Sequence, residues 1–143
     1  MRGFCMGSEQ MQLVVDTWKK LGRSARQVSE AFYERLFEQN PSLRTAFRFG
    51  YTDAAEKLTY MISFAIVNLR RPEETLLPAA RQLGRLNAAL GVKAEHYDEA
   101  GGPLLWALAQ ALGTDWTPEV ESAWTEFYEM ATGALKEGAG VGV

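Results

Sequence analysis

Apolar residues recur at spacings of three and four through almost the whole chain, and nowhere do they alternate with polar ones over a strand's length. Spacings of three and four put side chains on one face of an α-helix, whereas a half-buried strand needs a period of two. No Asn-Gly or Asp-Gly pair is present to turn a hairpin, and no internal repeat or low-complexity linker interrupts the pattern. The chain therefore reads as all-α.

Helix signals follow one another along it. Ser8 is placed to cap a first helix with Met11, Val14, Val15, Trp18 and Leu21 on one face, ended by Gly22. Ser24 with Gln27 has the spacing of a capping box, opening a helix through Val28, Phe32, Leu36 and Phe37. Asn40-Pro41 reads as a cap followed by proline at the first helical position, starting a short segment to Phe47. Asp53 with Glu56 is expected to cap the next helix, which points Ala54, Leu58, Met61, Ile62, Ala65 and Leu69 inward.

Pro72 and Pro78 suit helix beginnings. Leu76, Ala80, Leu83, Asn87 and Leu90 then share a stripe that faces inward and stops at Gly91. A long helix over 94–112 should bury Tyr97, Leu104, Leu105, Leu108 and Leu112, with Pro103 bending it or leaving a backbone carbonyl unpaired. The cluster Gly101-Gly102-Pro103 marks either a close helix crossing or that bend. Thr117-Pro118-Glu119 opens the last helix, with Val120, Ala123, Trp124, Phe127, Ala131 and Leu135 inward. A very short third helix among seven or eight of unequal length favours globin-like packing over a four-helix bundle. The expected division is a flexible tail over 1–7, one domain over 8–136, and a frayed glycine-rich tail over 137–143.

With 143 residues, the chain is long enough for one domain with a sizeable core. Its net charge of −3 and the lack of any basic run longer than Arg70-Arg71 argue against nucleic acid as a partner. No apolar run approaches the roughly 20 residues of a membrane span, and residues 1–7 lack the apolar centre of a secretory signal. The expected location is cytoplasmic, with no membrane partner. The single Cys5 can form no internal disulfide, and zinc-type ligand spacings are absent.

The segment from Leu76 to Val92, with His96-Tyr97 behind it, resembles the proximal helix of bacterial single-domain globins and of the globin half of flavohaemoglobins. Further markers are Phe32-Tyr33-Glu34-Arg35-Leu36-Phe37, Asn40-Pro41, Phe47, Lys57-Leu58, Leu83-Gly84, Gly91-Val92 and Ala123-Trp124, in order and at globin-like separations. The resemblance implies a globin fold of three helices on three around a haem-sized pocket. It matches Phe47 to the ring stacked on haem, Tyr33 to the distal tyrosine that bonds dioxygen, and Leu58 to the apolar distal residue. Ala54 falls where relatives carry glutamine or histidine. Tyr97 matches the tyrosine of the proximal hydrogen-bond network, whose acidic partner would fall at Ala139, with Glu137 close by. Asn87 stands where the iron-binding histidine belongs. Only one histidine exists, His96, nine positions too late.

Each of these residues has a plainer reading. Phe47, Leu58, Leu83 and Val92 could be ordinary core, and Lys57 a solvated lysine with its stem along the pocket mouth. His96 lies between acidic neighbours near a helix start and is expected at the surface. An unpaired amide on an apolar stripe costs about 1–3 kcal/mol, so Asn87 should find a partner. Asparagine is a poor iron ligand and too short to reach without an intervening water. The expectation is haem b, weakly held with Asn87 at the axial position through water, and altered binding of dioxygen or nitric oxide. Two alternatives stand beside it. One is a haem-free sensor or interaction module with no cofactor. The other is a nitric oxide dioxygenase, or peroxidase-like chemistry, needing a separate reductase, since no flavin or nicotinamide motif is present.

Overall fold

The computed structural model describes residues 6–46 and 51–140. Among these residues the fold consists of α1 (Ser8–Leu21), α2 (Ala25–Gln39), α3 (Tyr51–Val67), α4 (Leu77–Ala89), α5 (Ala94–Leu112) and α6 (Pro118–Gly138), joined by short tight turns of helix. No described helix is long and apolar enough to cross a membrane. Phe47, expected on the haem face, lies outside the described residues.

Local signals set most of the boundaries. Thr117 caps α6 by accepting from the Val120 N–H at 3.2 Å, ahead of Pro118. Gly22 and Gly91 adopt positive φ after α1 and α4, the region where side chains are penalised. Three expected caps fail. Gly7, not Ser8, precedes α1 in extended conformation. Ser24 is helical itself, within the turn Gly22–Ser24, so the chain runs from α1 to α2 without the extended residue that a capping box needs. Helix α3 starts at Tyr51, ahead of Asp53, which therefore sits inside its first turn.

The core lies where α1 and α5 meet α6, and where α2 meets α5 and α3. Trp124 is fully buried at its centre, 5.9 Å from the Trp18 ring and 5.3 Å, edge-on, from Phe127. Its indole N–H donates to Thr17 Oγ1 at 2.9 Å, and that hydroxyl donates to the Leu13 carbonyl at 2.6 Å. Trp18 Nε1 donates to Ser63 Oγ at 3.0 Å, while Ser29 and Thr59 share a hydroxyl bond of 2.7 Å. The Trp124–Thr17, Trp18–Ser63 and Ser29–Thr59 bonds each lock two helices together, so the buried polar atoms add register instead of desolvation cost.

Helices α4 and α6 cross with glycine on both sides. A Cβ on Gly84 would lie 1.9 Å from the Leu135 carbonyl oxygen, and one on Gly138 would lie 1.7 Å from that of Arg81. Only backbone fits there. This crossing corrects the expected C-terminal tail, because Gly138 is seated on α4 and Glu137 pairs with Arg81 at 2.9 Å. Met6, assigned to the flexible N-terminal tail, is buried in the core. Of the two readings of Gly101-Gly102-Pro103, the crossing holds at Gly101, where a Cβ would meet the Tyr128 ring at 3.2 Å. Helix α5 continues through the buried Pro103.

Candidate functional site

Helix α3 leans on α2 while α4 leans on α6, and the two are not closely packed on each other. Half-buried side chains on these helices include Ala54 and Leu58 on α3 and Leu83 and Asn87 on α4, with Val92 just beyond α4. Met61, Leu86 and Leu90 add exposed apolar area at 36%, 58% and 64%. Leu90 and Met61 were expected to face inward. They do not: α4 turns its Gly84 edge to α6 and leaves Leu90 exposed, while Met61 on α3 is exposed as well. Lys57 is exposed.

Asn87 is half-buried on α4. Its Nδ2 donates to the Tyr97 hydroxyl at 3.0 Å, which crosses from α4 to the first turns of α5. Among the described residues no donor reaches its Oδ1. The Asn87 backbone carbonyl accepts from the N–H groups of both Leu90 and Val92 at 3.0 Å, fixing the chain reversal after α4. Tyr97 is held from its other side, where the Tyr128 hydroxyl donates to its backbone carbonyl at 2.5 Å. Burial raises the Tyr97 hydroxyl above its ordinary value, and the bond from Asn87 opposes the shift. Burial raises Tyr128 as well, helped by the negative charge of Asp98.

The register put the acidic partner of Tyr97 at Ala139, which carries no acid, with Glu137 close by. Glu137 is engaged with Arg81, and the Tyr97 hydroxyl takes the Asn87 amide instead. His96 sits at the third residue of α5, where its Nδ1 accepts the Lys93 backbone N–H at 2.9 Å. The single imidazole of the chain thus closes a helix start. Tyr33 is buried in α2 between Phe32 and Phe37, ring centroids 4.8 and 5.8 Å away, and burial pushes its hydroxyl up to about 12. Among the described residues no three His, Cys, Asp or Glu side chains gather as a metal site would need. The structural glycines Gly84 and Gly138 escaped the sequence reading as a pair, since only the crossing of distant helices gives them a role.

The pattern of the globin family matches residues 30–135, and the chain belongs to that family. Its fold is the globin fold. The chain superposes on the crystal structure of a hexacoordinated heme protein from an anhydrobiotic tardigrade with a TM-score of 0.85 at 17% identity, over 95% of this chain and 96% of that one. An anaerobic nitrite reductase of Oryza sativa subsp. indica is 27% identical over 139 residues, 90% of this chain and 92% of the rice protein. Flavohemoproteins of Rhodopirellula baltica and Chromobacterium violaceum are 27% and 29% identical over 86% and 91% of this chain. The chain spans about a third of their length, 31% and 33% respectively.

Proposed function

We propose that this globin takes haem b between α3 and α4 without an imidazole on the iron, and that it binds small gases such as dioxygen or nitric oxide in an altered way. Haem chemistry appears in the names of its relatives, and the residues here suit the macrocycle better than they suit the usual axial bond. A flat apolar ring laid against Leu58, Leu83, Val92 and the exposed Leu86 and Leu90 gains on the order of 25 cal/mol per Å² of apolar area removed from water. Bound haem would supply the iron at which a small gas is held. The chain supplies the slot, with Tyr33 as the distal hydroxyl and Ala54 leaving no second donor.

The observation that carries this reading is the Asn87–Tyr97 hydrogen bond, together with the engagement of His96 at Lys93. The amide at the position that the resemblance matches to the iron-binding histidine is tied to Tyr97 and has only an uncharged oxygen to offer, a weak donor to iron beside imidazole, thiolate or thioether. Loose retention of haem follows. Any nitric oxide dioxygenation would need electrons returned to the iron by a reductase.

Reconstitution with haem, followed by visible spectroscopy, tests the proposal. A Soret band that shifts when free imidazole is added is expected, and Asn87→His should tighten haem retention and abolish the shift. A band indifferent to imidazole would count against an open axial position. No band after reconstitution would retire haem altogether and leave a haem-free sensor or interaction module.

A further inference from the structure

A second exposed apolar surface lies along α1 and α3. Helices α1 and α3 run antiparallel there, since Trp18 bonds Ser63 while Gln12 accepts from Arg70 Nη2 at 3.1 Å. These two hydrogen bonds tie α1 to α3 and to Arg70 beyond it, along a groove of about 530 Å³. Trp18 forms its bed, with Met11 and Val15 on one wall and Ile66 and Val67 on the other. The apolar area does not end at the groove. Val67 is 81% exposed, and Tyr60, one side of the same face of α3, is 73% exposed.

Charge marks both ends. Arg70 stands at the Gln12 end and Lys19 at the other, and no acidic side chain lines the groove. Neither cation has an ion pair among the described residues. Along α1, Gln12 and Lys19 are seven positions apart, about 10 Å at the rise of an α-helix.

We propose that this groove docks an amphipathic helix of a partner protein, one that carries two carboxylates two turns apart with apolar residues between them. A third helix laid between two antiparallel ones matches the groove's shape, and the two cations set its register. The occupant must also cover Val67 and Tyr60, which a single acyl chain lying in the groove is too narrow to do. Charge at the rim governs partner choice and encounter rate, while the apolar bed supplies the affinity.

The probe is a stapled helical peptide of about 15 residues, long enough to stay helical, with glutamates seven positions apart flanking leucines on one stripe. Titration calorimetry with the full chain should show one peptide bound. The pair Lys19→Glu with Arg70→Glu should weaken it at least ~10-fold, and a peptide with lysines in place of the glutamates should prefer that variant. Val67→Asp, at an exposed position, should abolish binding while leaving the thermal melt unchanged. Failure of the glutamate peptide to bind, or binding indifferent to the charge swap, overturns the proposal. So does palmitate bound in a way that Val67→Asp removes, which makes the groove a lipid site. Sedimentation showing wild-type dimers that Val67→Asp dissolves overturns it too, in favour of a second copy.

Discussion

The seam between α1 and α6 and the space between α3 and α4 are built from the same helical apolar period but end in opposite states. At the first, Trp124 and Val14 are fully buried, and each polar atom brought inside has a partner, Trp124 Nε1 on Thr17 and Thr17 on Leu13. At the second, Leu86 and Leu90 remain exposed, and Asn87 is held by one bond on one side only. The difference teaches that an apolar stripe says which face is hidden only if a neighbouring helix is there to hide it. Where none is, the stripe marks a surface awaiting something else.

The contrast can be broken from its strongest side first. Trp124→Ala should cost about 3–5 kcal/mol, because it empties the centre of the packed seam. Denaturant unfolding checks this, and a loss below ~1 kcal/mol would mean that the seam is less tightly packed than described. Next comes Gly84→Ala, which drives a methyl into the Leu135 carbonyl. A loss of about 3 kcal/mol is expected, at the upper end for overpacking, since backbone cannot swing aside. A neutral result in the same assay would show that α4 does not sit so close to α6.

An intermediate effect should come from alkali. Tyr33 in the folded chain titrates near 12 against an ordinary 10.0, so the folded state holds its proton more tightly than the unfolded one. Stability is therefore complete below pH 10 and declines as pH rises toward 12, by on the order of 2 kcal/mol from this group. Tyr33→Phe should flatten that part of the curve in melts followed by circular dichroism. An unchanged slope would place the phenol in contact with water. The smallest change is expected from Leu86→Gln and Leu90→Gln, within about 0.5 kcal/mol for the protein alone. If haem is bound there, the same pair should lose it faster to apomyoglobin.

How much of this was legible beforehand depended on how far apart the deciding atoms lie in sequence. Helices α5 and α6 could be placed closely because Gly91, Thr117 and Pro118 act within a turn of their own positions. The globin fold was legible from markers spread in order along the chain. Ser24 misled because a serine before an apolar run signals a cap only if the backbone is extended there, and the preceding turn keeps it helical. Within the site, Asn87 and its neighbour Tyr97 were singled out from sequence, but the bond between them was not, nor the engagement of Glu137 with Arg81. Both depend on how α4, α5 and α6 are set against one another. The Gly84–Gly138 crossing is the extreme case: the two positions lie in different helices, and neither helix alone gives its glycine a reason.

That crossing leaves no cushion of side chains between the helix bearing Asn87 and the one that closes the described fold. Two rods touching backbone to backbone cannot slip past each other by rotamer changes, so they must travel together. Any tilt of α4 at Gly84 must therefore carry the Leu135–Gly138 end of α6 with it.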